Sequence, residues 1–106
     1  MISRGDFVFT IGYEGDTAVV DGAMKKRYGS LSTIELAEKQ LYKQAVCSAV
    51  YEEAAQNHEN SGEEALRRVL EIYNRDTERK IGKVEELKRT FGVYEVPEGI
   101  GKVMVI

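Results

Sequence analysis

The chain has no tryptophan and only one cysteine, one proline and one histidine, and each scarcity closes off some chemistry. A lone cysteine, Cys47, can make neither an intramolecular disulfide nor a thiolate metal cluster. His58 has no second imidazole to work with, and no pair of candidate ligands has the spacing of a metal-binding helix, so no metal site and no cofactor are expected. No run approaches the ~20 apolar residues of a membrane span. The opening "MISRGDFVFTIG" meets Asp6 and then glycine where a secretory signal needs an unbroken apolar core. These features predict a cytoplasmic location without membrane attachment. An excess of positive charge is also missing. Fifteen Lys and Arg against 18 Asp and Glu leave −3, which weighs against a dedicated nucleic-acid binder. Repeats, linkers and low-complexity segments are lacking too.

What is present fits one domain over residues 1–106, with a core small enough that a partner surface would add to its stability. Charged residues make up 31% of the chain, above the ~25% usual for soluble domains. The excess is Glu, Lys and Arg, the direction taken by proteins from hot environments.

"DFVFTIGY" alternates, with Phe7, Phe9, Ile11 and Tyr13 on one face, and "TAVVD" follows after four residues. A two-residue turn at Glu14-Gly15 would set Phe9 against Val20 and Ile11 against Ala18, pairing apolar residues. The glycines of "GYEGDTAVVDG" then serve a hairpin. A phosphate-cradling loop would need a lysine and a following helix, and a calcium loop would need more oxygens.

Asp21 is placed to cap a helix over "GAMKKRY", ended by a left-handed Gly29. Ser32 and Glu35 have capping-box spacing, with Leu31 as staple partner. A helix from Thr33 to Asn57 follows, its "AVCSAV" segment apolar almost all round and therefore the most buried turn expected. "NHENSG" breaks that helix, and Ser61 with Glu64 repeats the capping-box spacing.

Helical periodicity then runs from Gly62 to Phe91, with acid-to-base pairs four apart such as Glu63–Arg67. One unbroken helix of that length, roughly 43 Å, would outgrow a domain of about 30–35 Å. A bend at Asn74–Asp76 or Gly82, or protrusion into a dimer, is expected. Strands over Gly92–Val96 and Lys102–Ile106, joined at Pro97-Glu98-Gly99, would form a second hairpin, and the doubly apolar "VMVI" suggests an inner or covered strand. The expected fold is α+β: an N-terminal β-hairpin, two or three helices (one long and bent), a C-terminal β-hairpin, and a four-stranded, mainly antiparallel sheet packed by the helices.

Few residues read as chemistry. Lys25, Lys26 and Arg27, with Tyr28 beside them, are the candidate ligand-binding residues for an anion, although three adjacent helical residues cannot share one face. "ELAE" and "YKQAVCSAV" faintly resemble a helix-turn-helix, but Gln40-Leu41 stand where a glycine is usual and the second helix is apolar where it would meet a groove. Cys47 sits mid-helix, remote from His58, and reads as an inert core thiol. The adjacent carboxylates Glu52-Glu53, Glu63-Glu64 and Glu85-Glu86 read as helix surface. Tyr42 and Tyr51, nine apart, form no aromatic row. No catalytic residue is assigned.

Two functions of different class are compatible with this pattern. One is a non-enzymatic protein that acts through a protein–protein or self-association surface, most simply as a homodimer. The other is an anionic-ligand or nucleic-acid module using Lys25–Arg27 with Arg67, Arg68, Arg75, Arg79 and Lys80.

Overall fold

In the computed structural model, which describes residues 2–56 and 61–106, the alternating N-terminal stretch begins as a helix and only then becomes a strand. Ser3 caps α1 (Arg4–Val8) by accepting from the Asp6 amide. Phe7 is therefore helical, and with Val8 and Phe9 it is buried in the core. Strand β1 (Thr10–Glu14) pairs antiparallel with β2 (Thr17–Val20).

Two details of the expected hairpin are corrected. The turn is Gly15-Asp16 rather than Glu14-Gly15, with Gly15 at φ +62°, as a positive-φ first corner demands. Tyr13 rather than Ile11 then faces Ala18. Thr10 meets Val20 and Gly12 meets Val19, which leaves Ile11 as the extra residue of a bulge, 58% exposed. Phe9 does not pair with Val20 in the ladder. Its carbonyl instead accepts from the Asp21 amide at 2.9 Å.

Asp21 caps α2 (Gly22–Tyr28) through the Met24 amide, as expected. Gly29 is not left-handed, however: its φ is −63° and its amide closes the last turn on the Lys25 carbonyl. The Ser32–Glu35 capping box forms at the start of α3 (Thr33–Glu38). The helix expected over Thr33–Asn57 is split in two, because Gln40 takes φ +65°. The Gln40 amide bonds Ala37 O and the Leu41 amide bonds Leu36 O, the paired bonds of a Schellman motif without its usual glycine. The chain then restarts as α4 (Tyr42–Gln56). His58 and most of the "NHENSG" break lie outside the described residues.

Helix α5 (Ser61–Thr77) is 17 residues, about 25 Å, and α6 (Val84–Phe91) follows after a break that begins at Glu78, φ +58°. Gly82 lies in this break, but Asn74 does not interrupt α5. Its side chain clamps the linker from inside the helix, donating to Ile81 O at 2.8 Å and accepting from Ile81 N at 3.1 Å. The whole molecule measures 37 × 28 × 22 Å, so no helix protrudes far enough to demand a partner.

The C-terminal hairpin does not form. Gly92, at φ +68°, and Val93 close α6 with a second Schellman motif, Val93 N bonding Lys88 O. Val93 is buried, and Pro97 has no N–H to give a ladder. Gly99 does take the positive φ expected of it, +76°. The one C-terminal strand, β3 (Lys102–Val105), lies parallel to β2, so the sheet is three-stranded and mixed in the order β1-β2-β3. Asp16 O anchors its entry by accepting from the Gly101 and Lys102 amides. The protein is thus α+β, a small single domain of six helices and three strands among the described residues.

Helices and sheet share one core. Phe9, Val20, Leu36, Val46, Leu66, Val69 and Leu87 are its largest fully enclosed apolar side chains, and all of "AVCSAV" is buried. Helices α4 and α5 cross so closely at Gly62 that a Cβ there would sit 2.9 Å from Ala49 O.

Candidate functional site

Polar or exposed groups gather in three places: the basic end of α2, the polar atoms inside the core, and the surface of the sheet. On α2 the expected cluster does not converge. Lys25 turns inward to Asp6, its Nζ 2.7 Å from the carboxylate, which holds the Asp6 carboxyl below its usual value. Arg27 folds over the ring of Tyr28, 5.3 Å from its centroid, and Tyr28 itself packs against the core. Lys26 is exposed. Two bases of α5 have carboxylate neighbours of their own, Arg67 with Glu63 at 2.8 Å and Arg75 with Asp76 at 3.0 Å, while Arg68 is exposed. Arg79 and Lys80 fall in the exposed linker rather than on a helix.

Inside the core, one polar chain stands out. Arg4 Nη2 donates to Leu31 O (2.7 Å) and to Ser48 Oγ (2.9 Å), while Nη1 reaches Gly29 O (3.2 Å). Ser48 Oγ and Thr33 Oγ1 are 2.7 Å apart, and Thr33 Oγ1 is 2.8 Å from Glu52 Oε1. A guanidinium can only donate and a carboxylate only accepts. The two hydroxyls between them are therefore oriented: Arg4 to Ser48, Ser48 to Thr33, Thr33 to Glu52. Ser48 is fully buried and Thr33 nearly so. No substrate reaches the Ser48 hydroxyl, and its proton is already committed to Thr33, so it is no nucleophile. The chain ties α1, the 29–31 turn, α3 and α4 together. No buried side-chain polar atom lacks a partner among the described residues.

Cys47 is buried, which pushes its thiol up to about 11, only partly offset by Lys43, and keeps it unreactive at neutral pH. The tyrosines divide as their spacing implied. Tyr42 packs edge-on against Tyr73 at 5.0 Å and donates to Asp76, and burial with that bond pushes its phenol up to about 12. Tyr51 lies on Phe7 and donates to Ile2 O. The break before α4 does put a turn between two helices, and Ala45–Val50 of α4 are packed into the core. Among the described residues no three His, Cys, Asp or Glu side chains gather to hold a metal, and no helix is long and apolar enough to cross a membrane.

The sheet surface is where the molecule is unfinished. Ala18 and Val20 of β2 point into the core and are fully buried. Their ladder neighbours on the same face of β3, Val103 and Val105, are 42% and 58% exposed. Met104 and Ile106 are exposed as well. Strand β3 therefore overhangs the helical layer, and the expectation that "VMVI" is inner or covered is overturned: it is an uncovered edge.

Behind the opposite edge, a cleft of about 230 Å³ opens between the β1 bulge, α4 and the segment after α6. Tyr13 and Tyr94 stand at it, Lys43 and Cys47 line it from α4, and Glu95 lines it from the segment after α6. Burial, then the neighbouring Cys47, raises the Tyr13 phenol above its usual range.

Neither the edge nor the cleft was read from the sequence. The edge was hidden because strand order has no local signal. The cleft joins residues from β1, α4 and the 92–97 segment that only the tertiary fold brings together. Compared with family models, curated proteins and solved structures, the chain gives no significant match to any of them.

Proposed function

We propose that this is a small cytoplasmic protein that works without catalysis, through self-association, as a homodimer joined along the free edge of β3. One observation carries this reading: core-facing valines lie uncovered on an edge strand. A strand edge also offers a row of unpaired N–H and C=O groups, a template for pairing with another chain.

Antiparallel pairing about a two-fold axis at Met104 suits the sequence "KVMVI". Val103 then meets Val105 of the partner copy, so four valines form one apolar strip on the helix side, and the sheet grows to six continuous strands. The buried, unreactive thiol is compatible with a reducing cytoplasm, and among the described residues no helix is long and apolar enough to cross a membrane.

The test is light scattering at micromolar concentration. The expected mass is twice 11.9 kDa, falling to one chain when Val105→Lys charges the edge. Met104→Cys should cross-link copies under mild oxidation, because facing Cα atoms of an antiparallel pair are about 4.5–5.5 Å apart, within disulfide reach. A monomeric wild type, or a dimer indifferent to both changes, would sink the proposal.

The anionic-ligand or nucleic-acid reading has less support, since Lys25, Arg67 and Arg75 each have a carboxylate neighbour. Salt-sensitive retardation of mixed RNA or DNA, abolished by Lys26→Glu and Arg27→Glu together, would revive it.

A further inference from the structure

We propose that the cleft between the β1 bulge, α4 and the 92–97 segment binds a small aromatic carboxylate, with Lys43 as its counter-charge and the Tyr13 phenol as a second donor. Size sets the first limit. A dry cavity of ~150 Å³ accepts benzene, so about 230 Å³ fits one ring with a short substituent. The walls suit a ring: Phe7, Tyr13 and Tyr94 offer faces and edges for aromatic packing.

Charge sets the second limit. Lys43 and Cys47, four apart on α4, share a helix face, so the ammonium stands over the floor that the buried thiol helps form. Among the described residues, no carboxylate lies within 4.0 Å of the Lys43 ammonium. The cleft contains one other formal charge, Glu95. Lys43 is near enough to the Cys47 thiol to offset part of the upward push that burial gives it. Lys43, Tyr13 and Glu95 are all exposed, so both donors stand at the mouth of the cleft. Tyr13, whose phenol stays protonated at neutral pH, has a hydrogen to donate to a carboxylate. The β1 bulge contributes by displacing Ile11 from the ladder, so that strand and cleft meet at Thr10–Tyr13.

The experiment compares three probes of one shape, benzoate, benzyl alcohol and benzylammonium, by amide chemical-shift titration of the full chain. Benzoate should saturate in the millimolar range expected for so small a ligand and shift amides of Thr10–Tyr13, Lys43–Cys47 and Val93–Glu95. Benzyl alcohol should bind about tenfold more weakly, for want of a charge-assisted hydrogen bond. Lys43→Met should reduce benzoate to the level of the alcohol without changing the alcohol, and Lys43→Arg should restore it. Lys43 is exposed, so both variants keep the fold. Tightest binding by benzylammonium, equal binding of all three probes, shifts confined to other residues, or no saturation at about 10 mM would each overturn the assignment.

Discussion

The two edges of one sheet are finished in opposite ways. At β1 the ladder is interrupted: Ile11 is squeezed out as a bulge, Gly12 follows it, and Glu14 puts a charge at the far end. The Thr10 hydroxyl secures the distortion, 2.9 Å from Val19 O and 3.0 Å from Gly12 O. Bulges and charges of this kind make an edge a poor template for another strand. At β3 the register with β2 is unbroken over four residues, the apolar run is uninterrupted after Lys102, and the side chains that should face the core stand in solvent. Both edges have the same backbone chemistry. Only one of them is protected, and that difference is why the proposed dimer contact falls on β3.

Two glycines, one at each edge, separate the edges most directly. A Cβ on Gly22 would lie 2.6 Å from Val105 Cγ1 and 3.1 Å from Ile106 O. Gly22→Ala should push β3 off its seat and cost about 1–3 kcal/mol, read by chemical denaturation and by faster exchange of the Ile106 amide. Gly12 at the other edge has open space around it, and Gly12→Ala should change stability by less than about 0.5 kcal/mol. Equal losses at both sites would mean that the edges do not differ as described.

The covered side of the molecule gives the next scale. Ser48→Ala removes the middle of the Arg4–Glu52 chain, leaves Thr33 without its incoming hydrogen bond and should cost about 1–2 kcal/mol in a denaturation midpoint. Thr10→Val should cost about 1 kcal/mol and loosen the bulge, visible as faster exchange of the β1 amides while those of β3 stay unchanged. Away from both edges, Gln40→Gly relieves a left-handed residue and should gain about 0.5–1 kcal/mol, the relief being partly offset by the greater freedom of glycine in the unfolded chain.

The smallest effect is at Asp6–Lys25, which joins α1 to α2. Lys25 lowers the Asp6 pKa from its ordinary 3.8, so the pair stabilises the fold above that value and loses its contribution as pH falls through the lower folded one. The gap in melting temperature between wild type and Asp6→Asn should be present at neutral pH and close in acid, as the pH falls through the lowered Asp6 pKa. A gap that persists in acid would mean that Asp6 acts through packing.

Local chemistry was legible wherever a side chain acts on its own backbone. Asp21 and the Ser32–Glu35 box start helices where their spacing says they should, because a cap is complete within four residues. Legibility failed where the outcome depended on a distant partner. Phe7, Phe9 and Ile11 alternate like a strand, yet Ser3 caps a helix there and Arg4 ties it to Gly29, Leu31 and Ser48 across the fold. Gln40 is unremarkable as a residue type and ends a helix in a conformation that usually needs glycine. Val93 has strand propensity but is used to close α6, so the hairpin it should have begun is lost. For the candidate cleft, the one sequence clue was Lys43 and Cys47 sharing a helix face. For the buried polar chain, it was a serine in the middle of "AVCSAV".

The parallel pairing of β3 has a consequence in time. Strands β1 and β2 close a two-residue loop and can meet early, whereas Lys102 reaches Thr17 only after the chain between them has been gathered in. Loop closure makes such a contact entropically costly until the intervening helices have docked. Val103 should therefore show a φ-value near zero in stopped-flow refolding, with β1–β2 residues well above it. The strand proposed to join two copies is therefore expected to form last. A molecule still assembling would not yet display the ordered edge, and in the proposed dimer recognition between copies would be reserved for chains that have finished folding.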